Sequence, residues 1–238
     1  MVPAPLPSTW LPSDGDRVTV AIALSRVHYP VTTLGPGRRI VVWVQGCSIR
    51  CPGCVSMDTW AARLSDGTVE ALMHGLEQVA GIADGLTVTG GEPFDQEEAL
   101  LALLLTWRRK ASGDVLVFSG YPYERLAPRL GAFTGLIDCL ITDPFDAAAG
   151  QTRALRGSDN QRLICLTDRG HARFSQYERS LRESDRALDI LFDDGTGEIF
   201  MAGIPRPGDL RRLAALLGEQ GHRVVVTEDT RRAACSTT

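Results

Sequence analysis

Apolar positions along this chain follow two alternating periods. Residues 39–45 (RIVVWVQ) form a short, nearly continuous apolar run, the pattern of a strand buried on both faces of a parallel sheet. Residues 86–89, 115–119, 136–142 and 161–166 repeat that pattern, and 18–27 is also strand-like. Between these runs the spacing lengthens. Val69, Leu72, Leu76 and Val79 recur at three- and four-residue steps, which predicts a core-facing helix starting near Asp66 or Thr68. Residues 96–110 read as a second helix, with Leu100, Leu103 and Leu104 inward. Strands alternating with helices predict a parallel sheet with right-handed crossovers. In such sheets a ligand sits at the carboxyl ends of the strands.

The pattern changes after residue 166. Residues 172–187 are charged and read as helical. Residues 188–192, a glycine-containing turn at 193–197 and residues 198–201 read as a β-hairpin. An amphipathic helix follows over 209–218, with Leu210, Leu213, Leu216 and Leu217 on one side; Gly221 is its stop and 223–227 a last strand. Ile190, Phe192, Ile199, Leu213 and Leu216 are the side chains expected to dock this lobe on the rest. The expected organisation is a flexible Pro-rich leader (1–16), a core (17–166), a C-terminal α+β extension (167–228) and a flexible tail (229–238).

Composition narrows the setting. A chain of 238 residues, 44% hydrophobic, can bury a substantial core. With 25 basic and 29 acidic side chains the net charge is −4, which gives no reason to expect a nucleic acid or an anionic membrane as partner. No apolar stretch reaches the length of a membrane span, and the N-terminal residues carry no basic leader. A cytoplasmic protein is the expectation, and there thiols stay reduced.

Three of the six cysteines, Cys47, Cys51 and Cys54, fall within eight residues, in the run GCSIRCPGC. Thiolates at this spacing can hold three corners of a [4Fe–4S] cube, and no fourth cysteine stands nearby to take the last iron. Zinc is the rival reading, although structural zinc sites are usually built from two separated ligand pairs, and no second pair follows here. Unligated thiols are a third. Cys139 and Cys165 lie in apolar strand contexts, where a cysteine is an ordinary small hydrophobe, and Cys235 sits in a polar tail.

The neighbouring residues carry a resemblance. The spacing C-x3-C-x2-C is similar to that of the radical S-adenosylmethionine enzymes. Gly35-Pro36-Gly37-Arg38-Arg39, the stretch QGCSIRCPGCVSMDTW (45–60), Thr89-Gly90-Gly91-Glu92-Pro93, Phe118-Ser119-Gly120-Tyr121 and Arg156-Gly157-Ser158-Asp159-Asn160-Gln161 keep the order seen in the activating enzymes of anaerobic ribonucleotide reductase. The chain resembles that branch over about residues 31–165. Val55 departs from it, standing where these activators usually carry an aromatic residue.

The resemblance implies an α/β fold with an incomplete parallel (β/α) barrel and a small C-terminal α+β lobe. It implies a [4Fe–4S] cluster on Cys47, Cys51 and Cys54 whose open iron chelates S-adenosylmethionine. An electron from the reduced cluster then gives a 5′-deoxyadenosyl radical, which abstracts hydrogen from a glycine of a partner enzyme. Gly90, Gly91, Glu92 and Pro93 are the expected methionine-binding turn, with Glu92 accepting from the ammonium group. Ser119 is the expected ribose contact. Arg156, Ser158, Asn160 and Gln161 are expected at the nucleoside or carboxylate, and Gly35, Gly37 and Arg38 either near the approach of the substrate or in a simple loop turn. The expected partners are a glycyl-radical protein substrate and an electron donor such as flavodoxin or ferredoxin. Radical modification of another peptide or of a small metabolite is the alternative within this chemistry, and an electron carrier or redox sensor the alternative outside it.

Overall fold

The computed structural model describes residues 19–62, 67–192, 199–206 and 208–221. The expected leader, the turn at 193–197, the strand at 223–227 and Cys235 lie outside the described residues.

In chain order the elements begin with β1 (Ala21–Ile22), β2 (Leu24–Val31), β3 (Arg39–Val44), β4 (Gly67–Thr68), α1 (Val69–Gly75) and α2 (Glu77–Ala80). Then come β5 (Gly85–Gly90), α3 (Glu97–Lys110), β6 (Asp114–Phe118), α4 (Tyr123–Leu126), β7 (Cys139–Thr142) and β8 (Arg162–Cys165). The described chain closes with α5 (Asp168–Phe174), β9 (Leu188–Phe192), β10 (Ile199–Gly203) and α6 (Asp209–Glu219). Among the described residues no helix is long and apolar enough to cross a membrane.

Local signals set the helix ends. The Thr68 hydroxyl caps α1 by accepting from Ala71 N at 3.1 Å. The expected single helix through Val79 breaks at Leu76, and α2 continues as a separate short turn. In α3, Glu97 and Glu98 open the helix and Arg108, Arg109 and Lys110 close it, each sign set against the helix dipole. Its inner face buries Leu100, Leu103, Leu104 and Trp107.

Six strands form one sheet in the order β2-β3-β5-β6-β7-β8. The four central strands are parallel, as the alternation of strands and helices predicts. Both edges depart from it: β2 and β8 run antiparallel to their neighbours. The reason lies in the connections. A parallel neighbour needs a crossover, usually a helix. The 32–38 and 143–161 connections contain no helix, so the chain simply turns back.

One face of the sheet packs Ile40, Val42, Val44, Leu86, Val88, Val115 and Val117 against α1 and α3. The other face is covered from the C-terminal side. Phe174 of α5 packs against Leu116, Cys139, Ile141 and Leu163. The β9–β10 hairpin lies over β2 and β3: Ala202 is buried with Val31, Leu34, Val41 and Trp43, and the Phe200 ring stacks on His28 at 4.5 Å. Asp189 fastens it, accepting from Thr32 N at 2.7 Å and Thr33 N at 3.0 Å as well as from both hydroxyls.

The hairpin pairing agrees with the sequence reading, but the docking face does not. Ile190 and Leu216, two of the expected docking residues, are 56% and 53% exposed. The side chains of Phe192 and Ile199 lie outside the described residues. With a two-residue period, Asp189 and Leu191 face inward opposite Ala202 and Phe200, which turns Ile190 outward. The helix expected over 172–187 is also corrected. Only α5 is α-helical there; it starts earlier, at Asp168, under the Thr167 cap, and gives way to 3-10 turns at Ser175–Tyr177 and Glu183–Arg186.

The glycine loop before β3 serves a buried charge. A Cβ at Gly35 (φ +127°) would lie 2.8 Å from Arg39 Nε. Arg39 is fully buried; it donates to Thr87 Oγ1 at 2.7 Å and pairs with Asp114 at 2.7 Å. Arg173 reaches the other Asp114 oxygen at 2.9 Å. This cluster sits at the amino end of β3, while the cysteines follow its carboxyl end, six residues at about 3.3 Å each away. Gly35, Gly37 and Arg38 therefore stand at the end of the sheet away from the cysteines, and they form a structural turn.

Candidate iron–sulfur site

The cysteine loop springs from the carboxyl end of β3 and is stitched to the carboxyl end of β5. Gly91 N donates to Val44 O and Glu92 N to Gly46 O, both at 2.9 Å. The two glycines of GGEP are needed for this seam. A Cβ at Gly90 (φ +99°) would lie 2.7 Å from Val44 N and O, and one at Gly91 would lie 2.0 Å from Gly46 O. The close neighbour is thus the end of β3 for Gly90 and the backbone of the cysteine loop for Gly91.

Further side chains hold the loop from outside. Asp95 accepts from Ser48 N at 2.8 Å, from the Ser48 hydroxyl at 3.1 Å and from the Tyr121 hydroxyl at 2.6 Å. The Gln45 amide donates to Ala61 O at 2.8 Å, and the Gln96 amide donates to Gln45 O at 2.8 Å. Arg26 pairs with Asp58 just beyond the third cysteine, and its guanidinium lies 4.4 Å from the Phe200 ring centre. Sequence reasoning passed over Asp95, Gln96 and Gln45. Gln45 opens the cysteine block, and Asp95 and Gln96 follow GGEP within three residues, so nearness to the matching blocks was the available signal.

Cys47, Cys51 and Cys54 are free and partly buried. Burial pushes all three thiols up, Cys54 to about 11. Nearby N–H groups work the other way: Ile49 and Arg50 on Cys47, Phe145 on Cys51, and on Cys54 the Trp60 side chain and Ser56 N, which donates at 3.4 Å. Donors around sulfur suit thiolates that carry charge to a metal. No three His, Cys, Asp or Glu side chains among the described residues converge closely enough to hold one metal ion.

The remaining expected site residues build the walls. Glu92 is 1% exposed and accepts from Phe94 N at 3.0 Å, the Ser119 hydroxyl at 2.8 Å and Gly120 N at 2.8 Å. Three of its four lone-pair positions are thereby taken. Pro93 opens the short 3-10 turn that Glu92 caps. Ser119, buried, is committed to Glu92. Together they tie the end of β5 to the end of β6.

Arg156, also 1% exposed, pairs with Glu178 and donates to Ala154 O and Tyr177 O at 3.2 Å each. Ser158 accepts from Asp146 N at 3.1 Å, and the Asn160 amide donates to Pro144 O at 2.8 Å. Gln161 donates to Asp143 O and accepts from Gly157 N. These contacts brace the 143–161 connection, which carries the Phe145 N–H near Cys51.

Burial raises the Glu92 carboxyl to about 7, against the hydrogen bonds that favour its charge. The folded state therefore holds this proton more tightly than the unfolded chain does. Its contribution to stability is highest at low pH and is lost as pH rises from about 4.5 to about 7. At about 1.4 kcal/mol per pH unit the swing is on the order of 3 kcal/mol. Glu92→Gln should flatten that part of an anaerobic melting profile against pH. It should also lower stability throughout, because the amide cannot reproduce all three accepted bonds. A variant profile parallel to the parent's would assign the titration elsewhere.

A model of the 4Fe-4S single cluster domain family matches residues 33–164. The anaerobic ribonucleoside-triphosphate reductase-activating protein of Enterobacteria phage T4 is 33% identical over 141 residues, 56% of this chain and 88% of the relative. The protein of that name from Escherichia coli K12 is 28% identical over 143 residues, 56% of this chain and 93% of the relative. The pyruvate formate-lyase-activating enzyme of Streptococcus mutans is 27% identical over 170 residues, 66% of this chain and 65% of the relative. The family match takes in the cysteine loop, the GGEP seam and the braced 143–161 connection, and stops before α5. The chain belongs to the 4Fe-4S single cluster domain family, within the radical S-adenosylmethionine group that contains the activating proteins of anaerobic ribonucleotide reductase.

Proposed function

We propose that Cys47, Cys51 and Cys54 hold a [4Fe–4S] cluster and that this chain activates a glycyl-radical protein. The observation that carries the reading is one loop with three free, partly buried thiols, one of which accepts from Ser56 N at 3.4 Å, inside the family match. When bound, the cluster supplies the electron that cleaves a carbon–sulfur bond of S-adenosylmethionine, yielding the 5′-deoxyadenosyl radical. The chain's own residues position and shield. Gly90, Gly91 and Pro93 hold the turn beside the cysteine loop, and Glu92 and Ser119 lock that turn to β6. Arg156, Ser158 and Asn160 act at one remove, by fixing the 143–161 wall. A flavodoxin- or ferredoxin-type donor, an incomplete-barrel arrangement of the central strands and a cytoplasmic setting complete the reading. We take residues 17–166 as the catalytic core and 167–228 as an appended lobe.

The test is anaerobic reconstitution. The protein should take up about four irons and, with dithionite, convert S-adenosylmethionine to 5′-deoxyadenosine. Cys47→Ala, Cys51→Ala and Cys54→Ala should each lose cluster and cleavage, while Cys139→Ala keeps both. Stoichiometric zinc without iron, in protein from iron-replete anaerobic cells, would overturn the assignment. A glycyl-radical signal on an added partner, seen by electron paramagnetic resonance, tests the substrate. The hairpin beyond the family match favours a second reading, in which another peptide or a small metabolite receives the radical.

A further inference from the structure

Cys139 and Cys165 face each other directly across the β7–β8 ladder. Leu166 N donates to Asp138 O at 2.8 Å while Asp138 N turns to Val115 O at 3.0 Å, so Asp138 and Leu166 occupy a hydrogen-bonding position of the ladder with one of its two bonds made. In an antiparallel ladder the next pair is of the narrow, non-hydrogen-bonded kind, with Cα atoms about 4.5 Å apart. That is at the short end of the range a disulfide spans, about 4.4–6.8 Å. Both side chains pack on the same face, among Leu116, Ile141, Leu163 and Phe174.

The two cysteines differ in access. Cys139 is buried and Cys165 half-buried. Burial pushes the Cys165 thiol up, and Glu178 and Asp138 push it the same way, while the Cys139 thiol and Arg156 work against the rise. The Arg156 guanidinium is almost wholly buried there, and its Nε has no hydrogen-bond partner. That guanidinium is already paired with Glu178, so the access of Cys165, and not its charge, marks it as the sulfur a peroxide meets first.

We propose that Cys139 and Cys165 are an oxidation site at which a peroxide closes a cross-strand disulfide. The Cys165 thiolate takes one peroxide oxygen, the O–O bond breaks, and hydroxide leaves. The Cys139 sulfur then attacks the resulting sulfenic sulfur. The S–O bond breaks as the S–S bond forms, and the departing hydroxide takes the Cys139 proton as water. Two thiols and one peroxide give one disulfide and two waters; the sulfurs lose two electrons and the peroxide gains them. The new bond joins the two strands from which the 143–161 connection springs, the segment that carries the Phe145 N–H near Cys51.

The experiment uses the cluster-loaded full chain, held anaerobically and given hydrogen peroxide in stepwise equivalents. Each sample is quenched by alkylation under denaturing conditions, digested and weighed. The expected product is a peptide pair linking Cys139 to Cys165, lighter by two hydrogens and reversed by dithiothreitol. In Cys139→Ser, Cys165 should be trapped as a sulfenic acid that dimedone labels. In Cys165→Ser, Cys139 should remain a thiol. Recovery of both cysteines alkylated while Cys47, Cys51 and Cys54 oxidise would overturn the proposal. So would over-oxidation of Cys165 beside an untouched Cys139.

Discussion

Gly91→Val should abolish iron binding in a protein that still folds. The added Cβ would lie 2.0 Å from Gly46 O and 2.7 Å from Gly46 C. Those are backbone atoms one residue before Cys47, and no side-chain rotation relieves the overlap. The loop must move, and with it the bonds from Gly91 N to Val44 O and from Glu92 N to Gly46 O. Anaerobically reconstituted variant should hold close to no iron, against about four in the parent. Gly91→Ala places the same Cβ and should fail in the same way. Full iron content in either variant would mean that the seam does not set the cysteine loop.

Asp114→Ala should be the most destabilising single change away from the cysteines. Asp114 is 2% exposed, and it neutralises Arg39 on one oxygen and Arg173 on the other. Burial already works against the Arg39 charge, and Asp114 is what supports it. Removing one partner of a buried pair leaves an uncompensated charge and costs about 3–5 kcal/mol. The shift in denaturant midpoint at constant slope measures it. Replacing the pair together, Arg39→Met with Asp114→Ala, should recover most of the loss, since the orphaned charge goes with it. A cost below about 1 kcal/mol for Asp114→Ala would show that solvent reaches Arg39 more freely than its burial indicates.

The central sheet was legible because strands buried on both faces read as continuous apolar runs, and 39–45, 86–89 and 115–119 did so. The antiparallel edges were not, because strand direction is decided by what the connection contains. The apolar run of β8 looks the same either way. The hairpin was legible in its pairing and misread in its facing. Asp189, a polar residue, takes an inward place by meeting Thr32 and Thr33, while Ile190 takes the outward one. At the candidate site the motifs fall on segments that the fold brings together, and the hydrogen bonds among them were not legible. GGEP, Ser119 and the RGSDNQ block looked like ligand contacts, yet their polar groups are largely spent on one another and on nearby backbone. Sequence gives the residue types near a centre but not which lone pairs remain open.

The hairpin across β2 and β3 also fixes a timetable. Thr32 and Asp189 are 157 residues apart, so the first long strand waits for one of the last segments to be made. At about 5–20 residues per second, the ribosome needs on the order of 10–30 s to cover that interval. Until then one side of Val31, Val41 and Trp43 has no cover, and the nascent chain carries an apolar strand pair available to chaperones or to other chains. A chain that stopped with the family match would have no such late cover to wait for. This one must survive that interval before the face of β2 and β3 is covered.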